Sequence, residues 1–254
     1  MIDIHCHILP GIDDGAQTEA DSIAMAKAAA EQGIHTIIAT PHHKNGRYEN
    51  NRTSIIQYTE ILNNLLGKED IPLKVVPGQE TRINGDMVLD LENRELMPLN
   101  DTKYVFVEFS SGHVPHYAKQ MIYDLQVAGY TPIIVHPERN RELIENPAKL
   151  YEFVKNGALT QVTAGSVIGK FGKNIEKFTH QLIDNALTHF IASDAHNTST
   201  RSFWMNEAYQ EVNKQFGNDL FYMFMENNHL LLDDLNVNRL EPSRIKKKKF
   251  FGLF

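Results

Sequence analysis

Residues 28–43 read AAAEQGIHTIIATPHH, and the order of residue types in this stretch decides the fold. An alanine-rich helical run stops at Gly33, where a helix end favours the left-handed conformation that glycine adopts freely. The Ile- and Thr-rich run that follows is too short for a helix and apolar enough for a strand buried on both faces. It ends in Thr40, Pro41, His42 and His43, so a buried strand delivers side chains able to do chemistry. The same succession recurs downstream. DLQVAG (124–129) precedes YTPIIVH (130–136), and EFVKNG (152–157) precedes ALTQVTAG (158–165), with Gly129 and Gly157 in the place of Gly33.

Extended outward, this reading gives seven strands: Ile2–Ile4, His35–Ala39, Lys74–Pro77, Tyr104–Val107, Pro132–Val135, Thr160–Val162 and Phe190–Ala192. Helical patterns between them include Thr18–Gln32, Thr53–Leu66, Pro115–Ala128, Pro147–Asn156 and Asn174–Leu187, the first opened by a capping box of Thr18 and Asp21. Strands alternating with helices make βαβ units and parallel strands, and seven in series favour a barrel over an open sheet. The expected architecture is an α/β barrel of residues 1–238, which the family resemblance given below specifies as a distorted (β/α)7 TIM-like barrel, followed by a basic and apolar tail, 239–254. A polar loop, KNGRYENN (44–51), separates the second strand from the next helix.

Composition narrows the function. The 254 residues carry a net charge of −7, but the segment from Arg239 to the end contributes +5, leaving −12 for the body. An acidic body argues against nucleic acid, whose binding rests on Lys and Arg against phosphate. One cysteine excludes a disulfide framework or a Cys-rich zinc module. No apolar run reaches the roughly 18 residues of a membrane span, and MIDIHCHILPG has neither a basic n-region nor a long apolar core, so a cytoplasmic location is expected.

The strand ends hold the chemistry. In chain order they carry His5 and His7; His42 and His43; Glu80; Glu108; His136 with Glu138 and Arg139; and, on the last, Asp194 and His196. The sixth, ending in Thr163-Ala164-Gly165, offers no evident ligand. In a parallel barrel these ends converge on one face. So many imidazoles and carboxylates in one cavity need cations to hold them, and together they indicate a multinuclear metal site. His5 and His7 lie two apart, as do Asp194 and His196, so each pair projects to one side of its strand. His35, His113, His116, His180, His189 and His229 fall in helices or early in strands and read as ordinary structural histidines. Cys6 faces away from His5 and His7 and reads as core packing. The arginine that a C-x5-R phosphatase requires is replaced by Ile12, and no G-x-S-x-G or P-loop motif occurs.

HCHILPGIDDGA (5–16), ATPHH (39–43), PGQE (77–80), VEF (107–109), VHPERN (135–140) and SDAHN (193–197) resemble the PHP (polymerase and histidinol phosphatase) superfamily. Within it, they are similar to the bacterial protein-tyrosine phosphatases that accompany capsule and exopolysaccharide tyrosine kinases. The resemblance spans Met1 to about Leu235 and implies the PHP barrel with a trinuclear centre. By that resemblance one metal is held by His5, His7, Glu80 and Asp194, and a second by Glu80, Glu108 and His136. A third is held by Asp14, His42 and His196, with Asp13 the alternative to Asp14. Many superfamily members have His where this chain has Glu108, a departure that fits the tyrosine-phosphatase branch. Manganese is the implied ion, with iron or zinc compatible with the same donors.

The expected reaction is in-line hydrolysis of phosphotyrosine on a protein by a metal-bridging hydroxide, the protein being the tail of a cognate bacterial tyrosine kinase. Arg139 is the first choice for gripping the phosphate, Arg201 the second, and His43 is a candidate acid for the leaving group. Two other readings compete: a small-molecule phosphoesterase such as a histidinol phosphatase, and a metal-bound interaction module without turnover. The tail KKKKFFGLF (246–254) reads as a short disordered segment, with weak contact to an anionic membrane surface as its alternative.

Overall fold

The computed structural model describes residues 1–246. Its strands are β1 (Ile2–Cys6), β2 (Thr36–Ala39), β3 (His42–His43), β4 (Lys74–Pro77), β5 (Glu80–Arg82), β6 (Tyr104–Glu108), β7 (Thr131–Val135), β8 (Leu159–Thr163) and β9 (Phe190–Ala192). All pair in parallel, in two sheets ordered β1-β2-β4 and β3-β5-β6-β7-β8-β9. The seven expected strand positions are therefore present, but the second and third are each divided into two.

Both divisions have a local cause. Pro41 has no N–H to give to a ladder, and its carbonyl accepts from Glu80 N at 3.0 Å while Thr40 N turns to Cys6 O at 2.9 Å. At Gly78 an added Cβ would lie 2.6 Å from the Ile38 side chain, so only glycine lets the third strand pass this close to the second. Beyond the breaks the chain pairs again, with His42 opposite Glu80 and Arg82 opposite Glu108. The first and last strands share no ladder. They meet just past β9 through a single bridge between Cys6 and Ala195, with His7 N donating to Ala195 O at 2.9 Å.

Strand alternation sorts the apolar residues into two clusters. Ile38, Val76, Phe106, Ile133, Val135, Leu159 and Phe190 meet in an inner core to which both sheets contribute. Their neighbours Ile37, Val75, Val107, Ile134, Val162 and Ile191 join an outer layer with the helices. Those helices are α1 (Glu19–Glu31), α2 (Arg52–Lys68), α3 (Met87–Glu92), α4 (Ala118–Val127), α5 (Arg141–Glu145), α6 (Pro147–Lys155), α7 (Ala164–Val167), α8 (Lys173–Asp184), α9 (Met205–Phe216) and α10 (Asn218–Leu232). The capping box before α1 forms as expected, with Thr18 and Asp21 satisfying each other's backbone amides. No helix among the described residues is long and apolar enough to cross a membrane.

The residues that lead into KKKKFFGLF are held against the body. Ser243 N donates to Asn185 O at 2.9 Å, Arg244 pairs with Glu152 at 2.6 Å and stacks over Tyr151, and Ile245 packs against the outer layer. Apart from Lys246, the segment read as disordered lies outside the described residues, and with it the apolar end that gives membrane contact as the alternative.

Candidate metal centre

Inner-facing parity, carried past the strand ends, builds most of the site. Ile38 leads through Thr40 to His42, Val76 through Gly78 to Glu80, Phe106 to Glu108, and Phe190 through Ala192 to Asp194 and His196. Three residues reach the site by breaking parity. In β1 the pairing register shifts between Asp3 and Cys6, so the inner face passes from Ile2 and Ile4 to His5 and His7. After β7, His136 takes a left-handed conformation with φ 34° and ψ 51°, which redirects a side chain that would otherwise face outward. Asp194 is left-handed as well, at φ 53°. Such backbone is costly for a non-glycine residue and persists only where its surroundings enforce it.

Nine expected ligands come together. His5 Nε2 and His7 Nε2 stand 3.4 and 3.3 Å from Glu80 Oε2, and 3.5 and 3.3 Å from Asp194 Oδ1. His42 places Nδ1 2.9 Å from the same Glu80 oxygen and Nε2 3.4 Å from Asp14 Oδ1, which His196 Nε2 also approaches at 3.5 Å. His136 Nε2 lies 2.6 Å from Glu80 Oε1. Donor atoms within 4.8 Å of one another form three overlapping groups: His5, His7, Glu80 and Asp194; His7, Asp14, His42 and His196; and His42, Glu80 and Glu108. The first coincides with the expected set. The second adds His7 to the expected Asp14, His42 and His196. In the third, His42 takes the place expected for His136, which approaches Glu80 from its other oxygen.

The donors fit cations rather than one another. Buried Glu80 Oε2, His42 Nδ1 and His196 Nε2 have no hydrogen-bond partner, although nitrogens crowd the carboxylate oxygen. Lone pairs converging without protons between them are what a divalent cation satisfies and what a plain polar network avoids. The far side of each ring is fixed as metal ligands require. His7 Nδ1–H donates to Asp13 Oδ2 at 2.6 Å, His5 Nδ1–H to Gln161 Oε1 at 2.8 Å and His196 Nδ1–H to the Asp194 carbonyl at 3.0 Å, leaving each Nε2 free to ligate. Asp13 thus backs the His7 ring and lies outside the three donor groups, and Gln161 supplies the contribution of β8, the strand without an evident ligand.

Electrostatics tell the same story. Burial opposes ionisation of Glu80 and Asp194. His42 and His5 outweigh it at Glu80, and Arg201, Arg139 and His5 outweigh it at Asp194, so both carboxyls fall well below the usual range. Burial likewise lowers His7, yet Asp13 overrides it and lifts the ring well above an ordinary histidine. A site that draws protons onto a buried imidazole is short of positive charge.

The arginines sit at the rim. Arg139 Nη1 and Arg201 Nη2 both donate to Asp194 Oδ2, the latter at 2.8 Å, on the oxygen turned away from His5 and His7. Arg82, absent from the sequence reading, holds both oxygens of Glu108 at 2.8 and 2.9 Å. It is two residues beyond Glu80 and so shares its inward parity, the signal that would have found it. His43 falls on the opposite face. It is buried, and its Nδ1 accepts from Asn50 N at 3.1 Å, so the structure does not bring it to the cluster as an acid. Cys6 is wholly buried, and burial, reinforced by Asp3 and Asp194, pushes its thiol well above the ordinary value.

Comparison with known proteins places the chain in a family. Residues 1–233 match the family described as capsular polysaccharide synthesis, CpsB/CapC. The tyrosine-protein phosphatase YwqE of Bacillus subtilis is 54% identical over the full length of both chains. The tyrosine-protein phosphatase CpsB of Streptococcus agalactiae serotype III is 28% identical over 91% of this chain and 98% of its own. A solved structure from work on Bacillus subtilis YwqE and Streptococcus pneumoniae CpsB, described as unique metal-dependent tyrosine phosphatases, superposes with a TM-score of 0.95. It is 54% identical and covers 97% of this chain and 100% of that one.

Proposed function

This chain belongs to the CpsB/CapC family of capsular polysaccharide synthesis, and from that membership and its cluster of donors we propose that it is a metal-dependent tyrosine-protein phosphatase. The observation that carries the reading is Glu80 Oε2, a buried carboxylate oxygen with three imidazoles around it and no hydrogen bond. His5, His7, Glu80 and Asp194 would hold one cation. Asp14, His42 and His196 would hold another, and Glu80, Glu108 and His136 a third. Manganese suits these nitrogen and oxygen donors, which include no thiolate. Bound divalent ions supply a nucleophile at neutral pH and neutralise phosphoryl charge.

The chain's own residues do the rest. Arg139 and Arg201 share Asp194 Oδ2 at the rim, and their guanidinium forks match the oxygens of a phosphate monoester. Asp13 and Gln161 accept from the Nδ1–H groups of His7 and His5 and so aim the Nε2 atoms at the cation site. Cys6, buried and protonated, takes no part, so no phosphocysteine forms. A phenol pKa of about 10 makes tyrosine a workable leaving group without a dedicated side-chain acid, consistent with the distance of His43 from the cluster. The substrate we assign is phosphotyrosine on a bacterial tyrosine kinase of polysaccharide synthesis, encountered in the cytoplasm.

Purified protein loaded with Mn²⁺, Fe²⁺ or Zn²⁺ is to be assayed on a phosphotyrosine peptide, the matching phosphoserine peptide and histidinol phosphate. Turnover of the phosphotyrosine peptide, abolished by chelation, is expected. Preference for histidinol phosphate by orders of magnitude, or peptide binding without phosphate release, would overturn the reading.

A further inference from the structure

Among the described residues, β8 carries no metal donor, yet the chain just past it is built with unusual constraint. Thr163 caps the short α7, and Gly165 within it lies against two aromatic rings. A Cβ at Gly165 would come 2.8 Å from the Phe171 ring and 2.9 Å from the indole of Trp204. Trp204 is itself left-handed, at φ 48°, and meets Phe171 edge-on at 6.3 Å between ring centroids. Three features with a cost, a missing side chain, a strained backbone and a half-buried tryptophan, converge to hold one phenylalanine.

That phenylalanine faces an arginine. The Arg139 guanidinium carbon lies 5.4 Å from the Phe171 ring centroid, within range of a cation–π contact, while an Arg139 N–H donates to Asp194. The group therefore has a neighbour on two sides, a ring within cation–π range and a carboxylate that accepts its N–H. Arg201 reaches the same Asp194 oxygen without an aromatic partner among the described residues.

We infer that Phe171, propped by Trp204 and by the absence of a side chain at Gly165, is a positioning residue that sets the plane of Arg139 for a phosphoryl group. This deepens the proposed function and rests on it for the identity of the anion. A guanidinium free to swing pays entropy each time it engages an anion, and one held beside a ring pays less. The ring acts through Arg139 alone.

The test is a double-mutant cycle read by calorimetric binding of inorganic phosphate to metal-loaded protein, with bound metal and melting temperature measured for every variant. Binding is separate from turnover, so failure of the wild type to release phosphate from a peptide counts against the proposed function and not against this inference. Phe171→Leu is expected to weaken phosphate binding about 3- to 10-fold at unchanged metal content, and Phe171→Trp to restore it to within about 2-fold. Gly165→Ala, which must displace the ring, is expected to match Phe171→Leu. On an Arg139→Ala background Phe171→Leu should change binding less than about 2-fold, whereas on Arg201→Ala its full effect should persist. Equal effects of Phe171→Leu on both arginine backgrounds, or none in the wild type, would overturn the inference.

Discussion

Asp13 and Cys6 show how a single residue's role follows from what it touches. Asp13 is buried, accepts from Gly15 N at 2.9 Å and takes the Nδ1 proton of His7. Removing it frees His7 to rotate or to carry its proton on the wrong nitrogen. Asp13→Ala should therefore lower metal affinity by about 10- to 100-fold, read by titrating the apoprotein with Mn²⁺ and following bound metal. Unchanged affinity would return Asp13 to the status of a loop residue. Cys6 sits among outer-layer side chains with its sulfur 3.6 Å from Ala195 O. Cys6→Ala should keep turnover within about 3-fold and cost about 1 kcal/mol of stability. Loss of turnover with metal content intact would mean that the thiol is a nucleophile after all.

At the scale of elements, the loop between β1 and α1 works only because it passes very close to β1. A Cβ on Gly15 would lie 2.0 Å from the His7 carbonyl oxygen, so Gly15→Ala must shift the segment carrying Asp13 and Asp14. The variant is expected to lose about 1–3 kcal/mol of stability and to bind less metal than the wild type. A variant with native melting temperature and full metal content would show that the loop has slack. The junction of β8 and β9 contributes a pH dependence. His189 accepts from Thr160 N at 3.2 Å, and burial, aided by Arg239, lowers its pKa to about 3. The unfolded ring titrates near 6.5, so as pH falls the unfolded chain takes up the proton first. The neutral ring's contribution is thus complete above about pH 6.5 and drains away below it, by roughly 2 kcal/mol at pH 5. Urea unfolding of chelated protein at pH 7 and pH 5 should show the wild type losing more stability than His189→Gln. Equal losses would remove His189 from the account.

Over the whole molecule, the recurrence of helix, glycine and apolar strand was enough to read seven parallel strands and the face on which they converge. Two of those strands are broken at Pro41 and at Gly78, and the short pieces beyond, His42–His43 and Glu80–Arg82, hold no apolar residue that periodicity could register. The site was legible where parity runs on from a strand, as at Glu80, Glu108 and Asp194. It was less legible where a bulge or a left-handed residue redirects the chain. His5, His7 and His136 were drawn from their motifs, and the devices that aim them are visible only in the backbone. Buttressing residues were the least legible. Gln161 and Arg82 have no signature of their own, because their roles are set by partners 156 and 26 positions away. The grouping around Glu108 shows the same limit: whether His42 or His136 stands beside it depends on distances that spacing does not encode.

All of this depends on one claim, that these donors exist to hold cations. The most direct measurement is anomalous diffraction from crystals of the manganese-loaded protein, compared with crystals soaked in chelator. Three anomalous peaks are expected around Glu80, one within ligating distance of His5 and Asp194, one of Asp14 and His196 and one of Glu108, all lost on chelation together with activity. Chelated crystals without peaks whose protein still hydrolyses phosphotyrosine at the full rate would contradict it.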